Sequence, residues 1–275
     1  MRIAVIGAGS VGCYLGGRLA AAPTAMVMLV GRPHVLEPIA EHGLSVGTDD
    51  GAVQVVPAAR LHLATDPHVA AGADVVLVTT KSLDTAEAVR TVAHNLRPGV
   101  PVVSFQNGLR NPGRIRQELR AAGRDNPVVP GVVGYNVART GPASFIQTTS
   151  GELLVADAPA SLDLVALAST AGLPIRTRPD MTEVAAAKVL LNLNNAVNAL
   201  SGMPLAAQLR DRDFRRVLAG PQREALVVFA AEGIRPARLT PLPVSFFPRV
   251  LDLPTALFTR AAGATLRVGP QARSS

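Results

Sequence analysis

Residues 2–12, RIAVIGAGSVG, decide the fold of the first part of this chain. Residues 2–6 are a short, mainly apolar run, which predicts a buried parallel strand. The run leads into G-x-G-x-x-G and then into a helical pattern over residues 14–22, the context that identifies a dinucleotide-binding turn. In such a turn Gly7 allows the tight bend, Gly9 lets the backbone approach a pyrophosphate, and Gly12 lets the helix pack close to the strand.

The N-terminus of the predicted helix supplies the second part of a phosphate-binding site. The backbone N–H groups of Ser10, Val11 and Gly12 precede the first intrahelical hydrogen bonds, and together with the helix dipole they favour an anionic group. The alternative is that the glycines form a purely structural turn. The position of the motif directly between a strand and a helix favours the cofactor interpretation.

The end of the second predicted strand distinguishes between the two nicotinamide cofactors. NAD-preferring sites place an Asp or Glu near this point, where it binds the ribose hydroxyls. Here the strand over residues 25–30 is followed by Gly31 and Arg32. Because a guanidinium suits a 2′-phosphate, the sequence predicts NADP(H), with a plain surface role for Arg32 as the alternative.

Two further apolar runs, residues 74–79 and 100–105, predict buried strands with polar residues just past their ends. The first run delivers Lys81 and the second delivers Asn107. Ligands bind outside the carboxyl ends of strands in open parallel sheets. We therefore expect one sheet edge to carry a set of four site residues, namely Gly7, Arg32, Lys81 and Asn107.

The remaining pattern predicts two domains. In the first we expect a hairpin over residues 44–56 around an Asp-Asp-Gly turn. We expect the sheet to be finished by strands over residues 127–137, 144–148 and 152–155, then a short helix over residues 161–171 and a last strand over residues 175–177. After Pro179 only helices are indicated: 180–202, 213–232 with Pro221 inside it, 244–251 and 255–262. The expected organisation is a doubly wound α/β domain over residues 1–178 and an all-helical domain over residues 179–275.

The helix over residues 180–202, DMTEVAAAKVLLNLNNAVNALSG, carries an unusual polar stripe. Asp180 and Glu183 form a capping-box pattern at its start, and Gly202 followed by a proline marks its end. At about 100° per residue, a stripe roughly 60° wide carries Lys, Asn and Asn, and the opposite side is apolar. The stripe is Lys188, Asn192 and Asn195 with Asn198 at its edge, and the apolar side is Val189, Leu190, Leu193, Val197 and Leu200. A solvated polar face is the alternative, although Asn is a poor helix former.

Lysine usage draws attention to two positions. Of the 27 Lys and Arg residues, only Lys81 and Lys188 are lysines. An arginine cannot readily release a proton and a lysine can. The bias suggests that these two lysines resist replacement.

Composition excludes several other classes of protein. The net charge is +7 and the pI about 10.8, but the arginines are scattered and no basic run with interleaved aromatics appears, so nucleic-acid binding is not predicted. The single cysteine, Cys13, excludes an intramolecular disulfide and fits the cytoplasm, and the five histidines show no metal-ligand spacing. No run reaches the ~18 apolar residues of a membrane span.

Together these motifs resemble the ketopantoate reductase (2-dehydropantoate 2-reductase) family. The resemblance runs the length of the chain, through IAVIGAGSVG, VGR at Arg32, VTTKS at Lys81, SFQNG at Asn107 and AKVLLNLNNAVNALSG at Lys188. It implies a Rossmann domain, a helical domain like the C-terminal domain of 6-phosphogluconate dehydrogenase, and an active site in the cleft between them.

The resemblance also implies a role for each matching residue. Arg32 and Lys81 would hold the 2′-phosphate of NADPH, and Asn107 would lie at the nicotinamide end and contact the substrate. Lys188 would act as general acid, and Asn192, with Asn195 beside it, would bind the substrate.

Two departures from the family pattern affect the expected substrate site. Many members carry an Asn eight residues after the lysine, where this chain has Ala196. The chain ends at Ser275, which corresponds to a serine near the substrate carboxylate, and the Thr-Glu-Ile-Asp stretch that follows in the family is not in the sequence. We therefore expect a C-terminally incomplete helical domain.

The leading hypothesis is an NADPH-dependent reductase of a small 2-oxo acid, 2-dehydropantoate, in pantothenate biosynthesis. A related enzyme acting on another small ketone is the second hypothesis. The third is an NADPH-binding protein with little turnover. We expect no nucleic-acid, membrane or metal partner, and a homodimer is left open.

Overall fold

The computed structural model describes residues 1–261, and Ser275 lies outside this range. The chain divides into two compact units, Met1–Met181 and a second that begins at Thr182. In chain order the strands are β1 (Arg2–Ile6), β2 (Met26–Val30), β3 (Leu44–Gly47), β4 (Val53–Val56), β5 (Leu61–Ala64), β6 (Val75–Val78), β7 (Val102–Ser104), β8 (Val128–Val133), β9 (Val137–Gly141), β10 (Ser144–Gln147), β11 (Leu153–Ala156) and β12 (Ile175–Arg178).

The helices of the first unit are α1 (Ser10–Leu19), α2 (Pro33–His42), α3 (Thr85–Ala93), α4 (Asn111–Ala121) and α5 (Leu162–Thr170). Helix α6 (Met181–Ser201) leads into the second unit, which continues with α7 (Leu205–Arg210), α8 (Arg212–Ala231), α9 (Phe247–Leu251) and α10 (Thr255–Ala261). Among residues 1–261 no helix is long and apolar enough to cross a membrane.

An eight-stranded sheet forms the centre of the first unit, in the order β12-β11-β8-β7-β6-β1-β2-β5. The six strands from β5 to β8 are parallel. This arrangement confirms the predicted Rossmann-type sheet. Strand β11 runs antiparallel to β8, and β12 is parallel to β11, so the sheet is mixed at this end.

Both faces of this sheet are covered. Ile3 and Val5 lie in a cluster that includes Tyr14 of α1, whereas Ala4 and Ile6 belong to the cluster that includes residues of α3 and α4. The alternation along β1 follows from the two-residue period of a strand. A strand buried on both faces is apolar throughout, which is why the sequence pattern identified it.

Two predictions about the sheet are wrong. The strand predicted over residues 127–137 ends at Val133, and Val137 begins another strand, β9. Residues 144–148 were expected to finish the main sheet, but β10 belongs to a separate four-stranded sheet in the order β4-β3-β10-β9. The chain leaves the main sheet at Gly134, where a Cβ atom would lie 2.5 Å from the carbonyl oxygen of Glu152. Past β8 the chain forms a hairpin, β9–β10, that pairs with the predicted hairpin β3–β4 through a parallel β3–β10 contact.

The second sheet packs on α1 because that helix has glycines on two sides. A Cβ at Gly17 would lie 2.6 Å from Val46 Cγ1 of the second sheet, and a Cβ at Gly16 would lie 2.5 Å from Leu29 Cδ2 of the main sheet. The small-residue face therefore lets one helix fit between two sheets.

The part of the second unit that the structure describes, residues 182–261, is helical, and a buried arginine connects its helices. Arg215 of α8 is fully buried and lies over the ring of Phe258, 4.3 Å from its centroid. Its guanidinium donates to four backbone carbonyls, those of Leu209, Arg210, Leu251 and Leu253. These carbonyls lie at the C-terminal ends of α7 and α9 or just past them, so Arg215 joins three helices. Pro221 lies inside α8, as predicted.

Candidate active site

The glycine turn lies where the strand order of the main sheet changes direction. From β1 the chain continues to β2 and β5 on one side, and to β6, β7 and β8 on the other. The carboxyl ends of β1 and β6 are therefore neighbours at the switch point, where open α/β sheets bind ligands. The Thr79 hydroxyl, just past β6, donates to the carbonyl oxygens of Gly7 at 2.8 Å and Ile6 at 3.2 Å.

The three glycines of the turn have different surroundings. Gly7 has φ of +108°, which only glycine adopts easily. A Cβ at Gly12 would lie 2.1 Å from the Gly7 carbonyl oxygen and 2.6 Å from Thr79 Oγ1, so the helix start fits tightly on the turn. A Cβ at Gly9 would meet no atom within 4 Å. Gly9 therefore faces open space directly before the first residues of α1, Ser10 and Val11.

Three polar residues follow the carboxyl ends of strands next to β1. Arg32 follows β2 and immediately precedes α2, Lys81 follows β6, and Asn107 follows β7. All three side chains are exposed. Since β2, β1, β6 and β7 are adjacent and parallel, the structure places the four predicted residues, Gly7 included, at one edge of the sheet.

A buried hydrogen-bond network connects the loops after β6 and β7. The Gln106 amide donates to the Thr80 carbonyl at 2.8 Å and to the Thr85 hydroxyl at 2.7 Å, and it accepts from Ser104 at 3.0 Å. The Asn111 amide donates to the Asn107 carbonyl at 2.7 Å and to the Ser82 hydroxyl at 2.9 Å. No function was predicted for Gln106, Thr85 or Asn111 from the sequence. The run SFQNG, which contains Gln106, was the available signal.

Lys188 lies in the first half of α6 with a half-buried side chain. Its backbone neighbours Ala186, Ala187 and Leu190 are buried. Desolvation lowers the pKa of the Lys188 ammonium below its ordinary value of 10.5. A lowered pKa makes the ammonium group a stronger acid than the ammonium group of an exposed lysine.

The asparagines of α6 divide into two groups. Asn192 and Asn195 are half-buried. Asn198 is 3% exposed, and its amide donates to the Met203 carbonyl at 3.0 Å and to Gln208 Oε1 at 2.8 Å. Asn198 therefore packs against α7 and is not part of a solvated stripe, and Leu200, predicted on the apolar side, is 90% exposed.

The family model for "Ketopantoate reductase PanE/ApbA" matches residues 3–160. A 2-dehydropantoate 2-reductase of Halobacterium salinarum is 33% identical over 240 residues, 85% of this chain and 77% of that protein. One from Caulobacter vibrioides is 31% identical, over 84% of this chain and 74% of that protein. The chain belongs to the ketopantoate reductase family.

A solved structure supports the same assignment. The crystal structure of a PanE/ApbA family ketopantoate reductase from Ralstonia eutropha JMP134 is 29% identical and matches with a TM-score of 0.80, covering 100% of this chain and 83% of that one. This ketopantoate reductase family member is thus an oxidoreductase of the type that acts on CH–OH groups.

Two observations on this ketopantoate reductase family member concern metal ligands and the single thiol. Within residues 1–261 no group of three or more His, Cys, Asp or Glu side chains is placed to hold a metal ion. Cys13 is buried in α1, and burial raises the pKa of its thiol to about 12. A thiol with that pKa is protonated at neutral pH and is a poor nucleophile.

Proposed function

We propose that this chain catalyses the NADPH-dependent reduction of 2-dehydropantoate to pantoate, in pantothenate biosynthesis. The reaction type follows the family, and the curated relatives at 33% and 31% identity are named 2-dehydropantoate 2-reductases. One observation carries the catalytic part of the proposal: Lys188 is half-buried, and desolvation lowers its pKa. That environment suits a group that gives up a proton during catalysis.

The residues at the sheet edge fit a nicotinamide dinucleotide. The open space in front of Gly9 leaves room for a pyrophosphate, which the backbone N–H groups of Ser10, Val11 and Gly12 would bind. We assign Arg32 and Lys81 to the 2′-phosphate of NADP(H), because no carboxylate follows β2 and both side chains are cationic. When bound, the cofactor supplies the hydride.

Lys188 would act on the substrate oxygen. Hydride addition to a ketone carbon turns the carbonyl oxygen into an alkoxide, and a positively charged donor stabilises that charge. We propose that Lys188 Nζ donates its proton to this oxygen and becomes neutral, which the lowered pKa favours. Asn107, Asn192 and Asn195 are proposed to bind and orient the 2-oxo acid, as is Ser275, which lies outside the described residues. Asn107 is also proposed to contact the nicotinamide end of the cofactor.

The proposal assigns residues 1–178 to NADP binding and residues 179–275 to substrate binding and catalysis. The partner is a small 2-oxo acid, and we place the reaction in the cytoplasm on the evidence of cysteine usage. A homodimer stays a prediction.

A different 2-oxo acid is the second candidate substrate. The observation that favours it is Ala196, at the α6 position where the family pattern has an Asn. A missing amide removes one hydrogen-bonding group from the proposed substrate site, and such a change alters substrate choice. A chain that binds NADPH with little turnover is the third reading.

The deciding experiment measures NADPH oxidation by the purified chain with 2-dehydropantoate and a panel of other 2-oxo acids. The matched variants are Lys188→Met and Lys81→Met, which remove the charge from one lysine each. We expect Lys188→Met to lower kcat by about 10²–10⁴-fold, the usual contribution of a general acid, and to leave the Kd for NADPH unchanged.

Lys81→Met should do the opposite: it should raise the Kd for NADPH and leave kcat at saturating cofactor close to the parent value. Near-normal kcat in Lys188→Met would show that Lys188 is not the proton donor. Faster turnover of another 2-oxo acid than of 2-dehydropantoate would select the second candidate.

A further inference from the structure

A buried amide joins the two loops that present Lys81 and Asn107. Asn111, the first residue of α4, is 6% exposed. Its Nδ2 donates to the Asn107 backbone carbonyl at 2.7 Å and to the Ser82 hydroxyl at 2.9 Å. Since Ser82 directly follows Lys81, this single side chain is bonded to Asn107 and to the neighbour of Lys81.

A second buried amide connects the same two loops from the other side. Gln106, just after β7, donates to the backbone carbonyl of Thr80, the residue before Lys81, at 2.8 Å. It also donates to the hydroxyl of Thr85, which is fully buried at the start of α3. The short segment around Lys81 is therefore held before and after the lysine by side chains that follow β7.

These contacts matter because the residues that they hold have exposed side chains. The Lys81 and Asn107 side chains are exposed, so neither one is enclosed by the hydrophobic core. A flexible loop loses conformational entropy when it binds a ligand, and a loop that is already ordered loses less. Buried hydrogen bonds to the backbone of the two loops reduce that loss.

We propose that Asn111 is a positioning residue that holds Lys81 and Asn107 at one fixed separation, so that a bound NADPH meets both without reordering the two loops. The inference rests on the proposed function, since it takes Lys81 and Asn107 as cofactor contacts. It assigns to Asn111 no contact with cofactor or substrate.

The chain provides a matched control at the other end of the same sheet. Asn126 is also 6% exposed, and its Nδ2 also donates twice to connecting segments, to the Arg97 carbonyl at 2.7 Å and to the Val100 carbonyl at 2.9 Å. It precedes β8 and so lies at the amino ends of the strands. Asn111→Leu and Asn126→Leu thus each remove two hydrogen bonds donated by a buried amide, and they do so at opposite edges of the sheet.

The test measures Kd for NADPH and for NADH by fluorescence titration, together with thermal unfolding, for the full chain and both variants. We expect both variants to unfold at lower temperature. We expect only Asn111→Leu to raise the Kd for NADPH, by about tenfold, because a buried hydrogen-bonded link of two loops is lost. The ratio of the two Kd values should also move towards one, because Lys81 is the residue assigned to the 2′-phosphate.

A second pair of variants covers the case in which Asn111→Leu does not fold. The Thr85 hydroxyl accepts from Gln106 at 2.7 Å and donates to Asn111 Oδ1 at 3.5 Å, so it connects both buried amides. Thr85→Ser keeps this hydroxyl, and Thr85→Val keeps the shape of the side chain and removes the hydroxyl. We expect Thr85→Val to weaken NADPH binding more than Thr85→Ser does. The reverse order would mean that packing at Thr85 matters and that the hydrogen bond does not.

The outcomes separate this inference from the proposed function. A parent chain that binds neither nucleotide would overturn the proposed function. A parent chain that prefers NADPH, with an Asn111→Leu variant that binds both nucleotides as the parent does, would overturn the positioning role alone. Equal loss of NADPH affinity in Asn111→Leu and Asn126→Leu would also overturn it, because general destabilisation would then explain the effect.

Discussion

Substitutions of single glycines in the turn should affect NADPH binding and folding stability to different extents. Gly9 has φ of −87° and ψ of −169°, a conformation that alanine adopts without strain. A Cβ at this position would meet no protein atom within 4 Å. Gly9→Ala should therefore fold, at a cost of about 1 kcal/mol or less for a poorer helix cap.

The same methyl group would occupy the open space assigned to the pyrophosphate. Phosphate oxygens displaced from the start of α1 lose one or two charge-assisted hydrogen bonds, each worth about 1.5–3 kcal/mol. A loss of about 3 kcal/mol corresponds to a Kd for NADPH on the order of 100-fold higher. The predicted signature is a large loss of affinity with a small loss of stability.

Two other glycines provide the controls for this experiment. Gly12→Ala would bring a Cβ within 2.1 Å of the Gly7 carbonyl oxygen, so it should destabilise the fold by about 1–3 kcal/mol or more. Gly113 lies in α4, where a Cβ also meets no atom within 4 Å. Gly113→Ala should leave NADPH binding unchanged and raise stability by about 0.5–1 kcal/mol.

The assay is fluorescence titration with NADPH, accompanied by urea denaturation of each variant. If Gly9→Ala binds NADPH within about threefold of the parent chain, well below the tenfold that 1.4 kcal/mol represents, then the turn does not hold a pyrophosphate. The assignment of the sheet edge as the cofactor site would then be wrong, independently of the result for Lys188→Met.

Three further predictions concern pH, cofactor choice and stability. Because Lys188 must be protonated to act and desolvation lowers its pKa, kcat should fall as pH rises through a value below 10.5, and a pH profile that is flat to 10.5 would contradict this. Arg32→Ser should reduce the preference for NADPH over NADH by about tenfold or more in a comparison of Kd values, and equal preference to the parent would exclude a 2′-phosphate contact. Arg215→Met leaves four buried carbonyls without their donor and should cost about 3–5 kcal/mol in urea denaturation, whereas the exposed Arg216→Met should cost less than about 0.5 kcal/mol.

The parallel part of the main sheet could be predicted because each of its central strands is buried on both faces and reads as a continuous apolar run. Strand β5 has a single buried residue and was missed for that reason. The second sheet could not be predicted from local pattern. Its parallel pair joins β3 to β10 across about a hundred residues of chain, and nothing within either strand specifies that partner.

The candidate site shows the same limit. Residues at strand ends, such as Arg32 and Lys81, could be named because their position follows from the order of strands and turns. Gln106 and Asn111 could not, since each donates to one backbone carbonyl, and their other partners are Ser and Thr hydroxyls, most of them more than twenty residues away in the sequence. A backbone acceptor has no residue type, so a sequence contains no matching pattern for such a bond.

The asparagines of α6 show how one missed element changes the interpretation of another. Helical periodicity placed Asn198 at the edge of a polar stripe, but periodicity does not identify what covers that face. Helix α7 has only six residues, too few for a periodic signal, and it was not predicted. Its fully buried Gln208 accepts from Asn198 at 2.8 Å and donates to Asn194 at 2.9 Å. A correct prediction of α7 would have identified both asparagines as packing residues.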